Sequence, residues 1–169
     1  CGMDEQTASM LRFSAPLHDI GKIGIPDAIL NKPGAHTAEE AVIMRTHAEL
    51  GAQMLSTSKR PLMQLAAKIA REHHENWDGS GYPYGIRGEF IPFGARTLSI
   101  ADAFDAIRIP EVSNPVARDT IALRIIRVAA GTQFDPELVA ITVDAMLNQV
   151  RLEGQRVPRA GEWGTDVIG

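Results

Sequence analysis

The chain has 169 residues, 44% of them hydrophobic, and a formal net charge of −4 at pH 7. Its length and composition are typical of one soluble domain with a single core. The acidic balance excludes a general basic surface for a nucleic-acid polymer. The apolar run over residues 121–130 contains Arg124 and Arg127 and is too short to cross a membrane. The single cysteine excludes an intrachain disulfide, which favours a cytoplasmic location.

Hydrophobic periodicity and capping signals predict an all-α chain of consecutive helices. Thr37 and Glu40 form a capping box, which predicts the start of a long helix. Pro61 suits the first turn of the next helix, which is expected to run into His73 and His74. The first predicted helix ends at about residue 17, and the others cover about 26–30, 37–55, 61–74, 92 through 102, 117–129 and 135–150.

The segments between and after these helices are short or polar. Residues 83–91 are punctuated by glycine, which predicts a loop or at most a small hairpin. His36 follows Pro33 and Gly34 in a polar loop and is expected to be solvated. Residues 151–169 are polar and glycine-rich, so we predict one domain over residues 1–150 and a C-terminal tail or linker after it.

Histidine and aspartate side chains occur at positions that helical periodicity turns toward the interior. His47 shares a predicted stripe with residues 43, 50, 51 and 54, His73 shares one with residues 62, 65 and 69, and Asp102 follows residues 95 and 98. Considered one at a time, each residue has an ordinary structural explanation. His47 is then a core histidine bonded to a carbonyl, His73 or His74 is a charge at a helix C-terminus, and Asp102 is the partner of an arginine. Taken together they indicate metal ligands, because burying unpaired charge is unfavourable by several kcal/mol or more.

Two adjacent pairs add a geometric argument. Neighbouring residues on a helix project about 100° apart, so a pair can bind one ion and reach another roughly 3.5–4 Å away. His18-Asp19 and His73-His74 could therefore hold a two-metal centre. Mixed histidine and carboxylate ligands suit iron, manganese or zinc better than calcium or magnesium.

Two motifs carry a resemblance to a known family. Residues 18–22, His-Asp-Ile-Gly-Lys, match the signature HDxGK, and residues 73–83 match HHExxDGxGYP. Both are signatures of the HD-GYP family of bacterial cyclic di-GMP phosphodiesterases. Further matching stretches are residues 23–27, 87–89, 91–92, 101–106 and 131–136, so the resemblance covers about residues 10–147. It implies an HD-domain helical bundle with a short loop or hairpin around residues 81–83, the GYP loop, and a metal centre that hydrolyses cyclic di-GMP to linear pGpG or to GMP.

The resemblance also implies roles for individual residues. Asp19 would bridge two divalent ions, with His18 and Asp102 on one ion and His47, His73 and His74 on the other. Iron is the first expectation for the ions, and manganese or zinc are the alternatives. Asp19 and Lys22 would be catalytic, since paired cations activate a bridging water for attack on phosphorus and Lys22 would face the scissile phosphate. Lys22, Tyr82 and Arg87 are predicted to contact the substrate, although Tyr82 also reads as part of a plain structural turn.

The first departure from the family pattern lies upstream of His18. Members with a full centre carry a glutamate and a histidine on an earlier helix, whereas only seventeen residues precede His18 and none is histidine. The chain begins at Cys1 rather than methionine, which we interpret as a segment of a longer protein with an upstream sensor or receiver domain. The ion held by His18 and Asp102 would have an incomplete shell, so one metal is expected to bind more firmly than the other.

The second departure concerns the basic residues that hold the dinucleotide phosphates in the family. Their positions hold Glu111 and Asn114 in this chain, and each lost or repulsive contact is worth about 1–3 kcal/mol if desolvated. Three functions therefore stay open: a cyclic di-GMP phosphodiesterase, a nucleotide-binding or protein-interaction module, and a phosphohydrolase for another nucleotide. A GGDEF-type partner or a homodimer is a further expectation from the resemblance.

Overall fold

The computed structural model describes residues 3–108 and 114–156, with side chains through residue 148. The described residues form eight α-helices and contain no β-strand, which confirms the predicted all-α class. The helices are α1 (Glu5–Ser14), α2 (Asp27–Leu30), α3 (Ala38–Arg45), α4 (His47–Ser56), α5 (Pro61–Glu72), α6 (Phe93–Ile107), α7 (Pro115–Val128) and α8 (Pro136–Arg156). Three short 3-10 segments lie at Ala15–Leu17, Ile20–Gly24 and Gly88–Phe90.

Side-chain caps fix several helix starts by satisfying backbone N–H groups that have no partner within the helix. Asp4 accepts from the Thr7 N–H at the start of α1. The predicted capping box is confirmed, because Thr37 Oγ1 accepts from the Glu40 N–H and the Glu40 carboxylate accepts from the Thr37 N–H. Asn114, which stands where the family pattern has a basic residue, caps α7 by accepting from the Ala117 N–H at 3.2 Å.

Several predicted boundaries were wrong. The long helix predicted over 37–55 is broken at Thr46 into α3 and α4, and α1 gives way to a 3-10 turn after Ser14. The break changes which face is buried, so Ile43 and Met54 are exposed while His47 is buried. Helix α8 continues to Arg156 rather than ending at about 150. Residues 83–91 form a loop with a 3-10 turn, which agrees with the prediction of a loop or at most a small hairpin. The predicted exposure of His36 is confirmed.

Two packed groups of helices hold the molecule together. In the first, α4 packs on α5 and on the 3-10 segment Ile20–Gly24, and α1 packs on α5. Small buried residues let α4 and α5 approach closely: Ala48, Gly51, Ala52, Ala66, Ala67 and Ala70. In the second, α6, α7 and α8 enclose a cluster that includes Phe104, Leu123, Ile126, Phe134 and Val143. Each large apolar side chain buried there contributes about 1.5–3 kcal/mol.

The two groups meet through α5 and α6, which are in contact. The turn after α1, the start of α4, the end of α5 and the middle of α6 carry the histidines and aspartates singled out above. None of the described helices combines the length and the apolar character that a membrane span requires. The fold therefore collects the predicted ligands from four separate segments.

Candidate metal centre

Four of the predicted ligands form a tight cluster. Asp19, His47, His73 and His74 each offer a ligand atom, and these atoms all lie within 4.8 Å of one another. Oδ1 of Asp19 is 3.4 Å from Nε2 of His47 and 3.8 Å from Nε2 of His73. Nε2 of His74 is 3.1 Å from Nε2 of His47. Two imidazole nitrogens bound to one ion at about 2.1 Å each would be about 3.0–3.4 Å apart for angles of about 90–110°, so this spacing fits a shared metal.

Backbone carbonyls orient three of the imidazoles. Nδ1 of His18 donates to the Ala15 carbonyl at 2.8 Å, Nδ1 of His47 to the Met44 carbonyl at 2.7 Å, and Nδ1 of His73 to the Ala70 carbonyl at 2.9 Å. Met44 and Ala70 lie in the last turns of α3 and α5, and Ala15 is the C-cap of α1. Carbonyl groups at helix ends have fewer partners within the helix and can accept from side chains. For His47 and His73, a proton on Nδ1 leaves the Nε2 lone pair facing the cluster. Metal-binding histidines are commonly fixed in this way.

The charges in the cluster also suit a cation. Burial opposes ionisation of Asp19, but hydrogen bonds from His18 and Lys22 outweigh it and hold the pKa of Asp19 below its ordinary value. Burial, with the neighbouring histidines, lowers the pKa of His73 to about 4 and that of His74 to about 3. A carboxylate and neutral imidazoles are the protonation states that bind metals.

Two buried atoms in the cluster lack the hydrogen bonds that such atoms normally make. Within the described part of the chain, neither Oδ1 of Asp19 nor Nε2 of His73 has a hydrogen-bond partner. Buried polar atoms without partners are rare, and an ion is one of the accepted explanations. Three imidazole nitrogens and a carboxylate oxygen form a donor set for a divalent transition metal. The residues present therefore fit a metal.

His18 and Asp102 lie beside the cluster, on the other oxygen of Asp19. Nε2 of His18 is 3.3 Å from Oδ2 of Asp19 and 3.7 Å from Oδ1 of Asp102. Lys22 Nζ donates to the same Oδ2 at 2.5 Å. The side chain of Asp102 is 45% exposed, so the prediction of a packed position for it was wrong. Asp19 thus points one oxygen at His47 and His73 and the other at His18 and Lys22.

A close backbone approach brings Asp19 to His47. Gly21 lies two residues after Asp19, and a Cβ at this position would be 2.0 Å from the carbonyl oxygen of His47 and 2.4 Å from the amide nitrogen of Gly51. Only glycine fits such a contact between two backbones. The glycine of HDxGK therefore has a structural reason: it lets the turn that follows His18 lie directly against α4.

The GYP loop forms one wall beside the cluster. The Tyr82 N–H donates to the His74 carbonyl at 3.1 Å, and the Tyr82 ring stacks on the His74 ring with centroids 4.7 Å apart. The buried Glu75 accepts from the Tyr84 N–H at 2.7 Å and holds the far side of the loop. A cavity of about 510 Å³ opens here, lined by Arg45, His73, His74, Asn76, Ser80, Gly81, Tyr82, Ser99, Asp102, Ala103, Ala106, Ile107 and Gln133.

Some residues considered from the sequence lie elsewhere. Arg87, predicted to contact substrate, lines a separate hollow with Asp78 and Phe90 that shares no lining residue with the cavity beside the cluster. Glu111 lies outside the described residues. Arg45 lines the cavity but was not predicted. No pattern in the sequence indicated Arg45, because the position of its side chain depends on the break at Thr46, where α3 ends.

Comparisons with known proteins place the chain in a family. The HD domain family matches residues 1–138, and the chain belongs to this family. Over 140 residues the chain is 48% identical to a cyclic di-GMP phosphodiesterase of Thermotoga maritima, a match that covers 82% of this chain and 38% of the relative. Over 143 residues it is 43% identical to 3'3'-cGAMP-specific phosphodiesterase 2 of Vibrio cholerae, covering 85% of this chain and 27% of the relative.

A solved structure supports the fold. A cyclic GMP-AMP specific phosphodiesterase of Vibrio cholerae matches with a TM-score of 0.64 at 20% identity, covering 94% of this chain and 42% of the other. The names of the curated relatives confirm the resemblance to cyclic di-GMP phosphodiesterases that the two motifs carried. The chain spans less than half of the length of these relatives.

Proposed function

We propose that this chain is a metal-dependent phosphodiesterase that hydrolyses a cyclic dinucleotide to the linear dinucleotide or to the mononucleotide. The main support for this proposal is the cluster of Asp19, His47, His73 and His74, which lies beside a cavity of about 510 Å³. That volume is within the roughly 300–1,000 Å³ of small-molecule sites. Metal ligands in the wall of such a cavity are suited to phosphoester hydrolysis, because bound ions would lie next to the substrate.

The proposed centre holds two divalent ions, with iron as the first expectation and manganese or zinc as alternatives. We assign His47, His73 and His74 to one ion and His18 and Asp102 to the other. Asp19 would bridge them, which accords with its two oxygens facing different histidines. When bound, the ions lower the pKa of a coordinated water and neutralise phosphate charge.

The side chains around the cluster contribute positioning and charge. Lys22, whose ammonium lies 2.5 Å from Oδ2 of Asp19, is partly exposed and would hold an oxygen of the scissile phosphate as a point charge. Tyr82, fixed by its stack on His74, would form the wall against which the dinucleotide lies.

The choice of dinucleotide is between two candidates. The relatives at 48% and 43% identity are named for cyclic di-GMP and for 3'3'-cGAMP, respectively. We place cyclic di-GMP first and 3'3'-cGAMP second. The cavity offers the side chains of Asn76, Ser80 and Gln133, which can hydrogen-bond to purine edges or ribose in either compound.

The deciding experiment measures metals and turnover on the same sample. The chain is purified without oxygen, its metals per chain are counted, and hydrolysis of both dinucleotides is followed. We expect metal in the wild type with turnover of at least one compound. Asp19→Ala should lose metal and turnover while its helical circular dichroism is kept.

Unchanged metal content in Asp19→Ala would refute the bridging assignment. One metal or none without turnover would refute the hydrolase and favour a nucleotide-binding or protein-interaction module. An upstream sensor or receiver domain, a GGDEF-type partner, a homodimer, a cytoplasmic location and the division at residue 150 remain predictions.

A further inference from the structure

Arg45 occupies a position beside the centre that the assigned roles leave unexplained. It is the last residue of α3, two residues before His47, and it lines the cavity next to the cluster. Its guanidinium carbon lies 5.1 Å from the centre of the Tyr82 ring, the ring that stacks on His74. The break between α3 and α4 therefore places a cation on the wall that the GYP loop forms.

The guanidinium of Arg45 is available to a ligand. In the described part of the chain it makes no ion pair, whereas Arg71 pairs with Glu49 and Arg108 pairs with Asp119. Arg45 is exposed, and its contact with Tyr82 is through the ring face. An arginine that lies over an aromatic ring keeps its N–H donors at the edge of the guanidinium plane, where they can bind a phosphate bidentately.

The charge balance of the cavity indicates which part of a ligand Arg45 meets. Among the described residues that line the cavity, Arg45 carries the only permanent positive charge. A cyclic dinucleotide has two phosphodiesters, and the metals with Lys22 can neutralise only the one being cleaved. The second phosphodiester needs a cation elsewhere, and neither Asn114, which caps α7, nor Arg87, in a separate hollow, supplies it.

Resting on the proposed function, we propose that Arg45 binds the non-scissile phosphodiester of the cyclic dinucleotide. Arg45 also lines a second hollow of about 510 Å³ with Val42, Leu50 and Pro83. It therefore lies between the two hollows, where it can contact a ligand that extends from the metals toward α3. The contact holds the substrate and takes no part in bond cleavage. Its loss should therefore weaken binding and leave the chemical step intact.

The test compares Arg45→Gln with Arg45→Lys and with the control Arg124→Gln, which removes an exposed arginine on α7. Steady-state kinetics with cyclic di-GMP should show KM raised about tenfold in Arg45→Gln and kcat within about twofold of wild type. Hydrolysis of bis(4-nitrophenyl) phosphate, which has a single phosphodiester, should be unchanged. Arg45→Lys should lie between wild type and Arg45→Gln, and Arg124→Gln should match wild type.

A binding measurement separates this proposal from the hydrolase assignment. Calorimetry of a hydrolysis-resistant phosphorothioate analogue of cyclic di-GMP on the metal-loaded chain should show about tenfold weaker binding for Arg45→Gln, with the same factor for the analogue of 3'3'-cGAMP. If both bind to Arg45→Gln as tightly as to wild type, the Arg45 proposal fails while the hydrolase can stand. A loss that differs between the two dinucleotides would overturn the phosphate contact in favour of a purine contact. If the wild type binds but does not hydrolyse, the hydrolase fails and the binding comparison still decides the role of Arg45; if it binds neither compound, both proposals fail.

Discussion

Replacing Gly21 by alanine tests whether a backbone contact builds the metal centre. The added Cβ would lie 2.0 Å from the carbonyl oxygen of His47 and 2.4 Å from the amide nitrogen of Gly51. Ordinary van der Waals contact begins at 3.4 Å, so the turn and α4 would have to separate by about 1.4 Å. Both groups belong to the backbone, so no side-chain rotation can relieve the overlap.

The expected loss in the free energy of unfolding is about 3 kcal/mol, the upper end of the range for overpacked sites. Metal affinity should fall further, because ligand distances tolerate only about 0.2 Å while Asp19 and His47 would move apart by more than this. The matched control is Gly24→Ala in the same 3-10 segment. There the new Cβ would meet the end of the Leu50 side chain at 2.9 Å, and this side chain can rotate away. The control should change stability by less than about 1 kcal/mol.

Urea denaturation of the metal-free variants measures the free energy of unfolding. Titration with Mn²⁺ or Zn²⁺ measures the metal affinity. Gly21→Ala should show a lower midpoint and at least a tenfold weaker metal affinity, a loss at the lower end of about 10–100-fold for changes that displace ligands. A variant as stable as wild type with the same metal affinity would refute the argument that this contact sets the position of Asp19. Equal losses in Gly21→Ala and Gly24→Ala would also refute it.

Three further predictions concern the loop, the second helix group and the metal. Gly81→Ala would place a Cβ 2.3 Å from the Asn76 amide nitrogen and should displace Tyr82 from His74, raising KM for cyclic di-GMP while urea stability falls by about 1–3 kcal/mol; an unchanged KM would contradict the role of the loop. Asp135→Ala removes the partner of Arg96 at a partly buried ion pair together with the cap on the Glu137 N–H, and should lower the free energy of unfolding by about 3–5 kcal/mol; a change under 1 kcal/mol would show that neither contact is needed. Excess Mn²⁺ at about 100 times Kd should raise stability by about 2.7 kcal/mol, and Asp19→Ala should abolish that gain; an equal gain in the variant would place the metal elsewhere.

Local signals in the sequence were sufficient for most helices. The capping box at Thr37 and Glu40, Pro61 at the start of α5 and Pro92 before α6 each act within one helical turn, so they can be recognised without the fold. The break at Thr46 could not be recognised, because residues 37–55 form one uninterrupted helical pattern. The exposure of Asp102 was also missed, since periodicity along α6 does not show how far the helix extends beyond its neighbours.

The ligand types were predictable, but their grouping was not. Histidine and aspartate at interior positions indicate a metal because burying them is unfavourable without a partner. The sequence could not show that the ligand atoms of His47, His73, His74 and Asp19 come within 4.8 Å, or that His18 and Asp102 lie on the other oxygen of Asp19. These distances depend on the contact of Gly21 with α4 and on the packing of α4 against α5.

The sequence by itself determined the helical class, the family motifs and the chemistry of the metal donors, because each depends on residue type and short-range spacing. Only the tertiary structure decided that Arg87 lies apart from the cluster while Arg45 lines the cavity beside it. Both are exposed arginines, so exposure does not distinguish them. Their positions follow from where the GYP loop and the end of α3 meet, and that meeting is set by contacts between segments far apart in the chain.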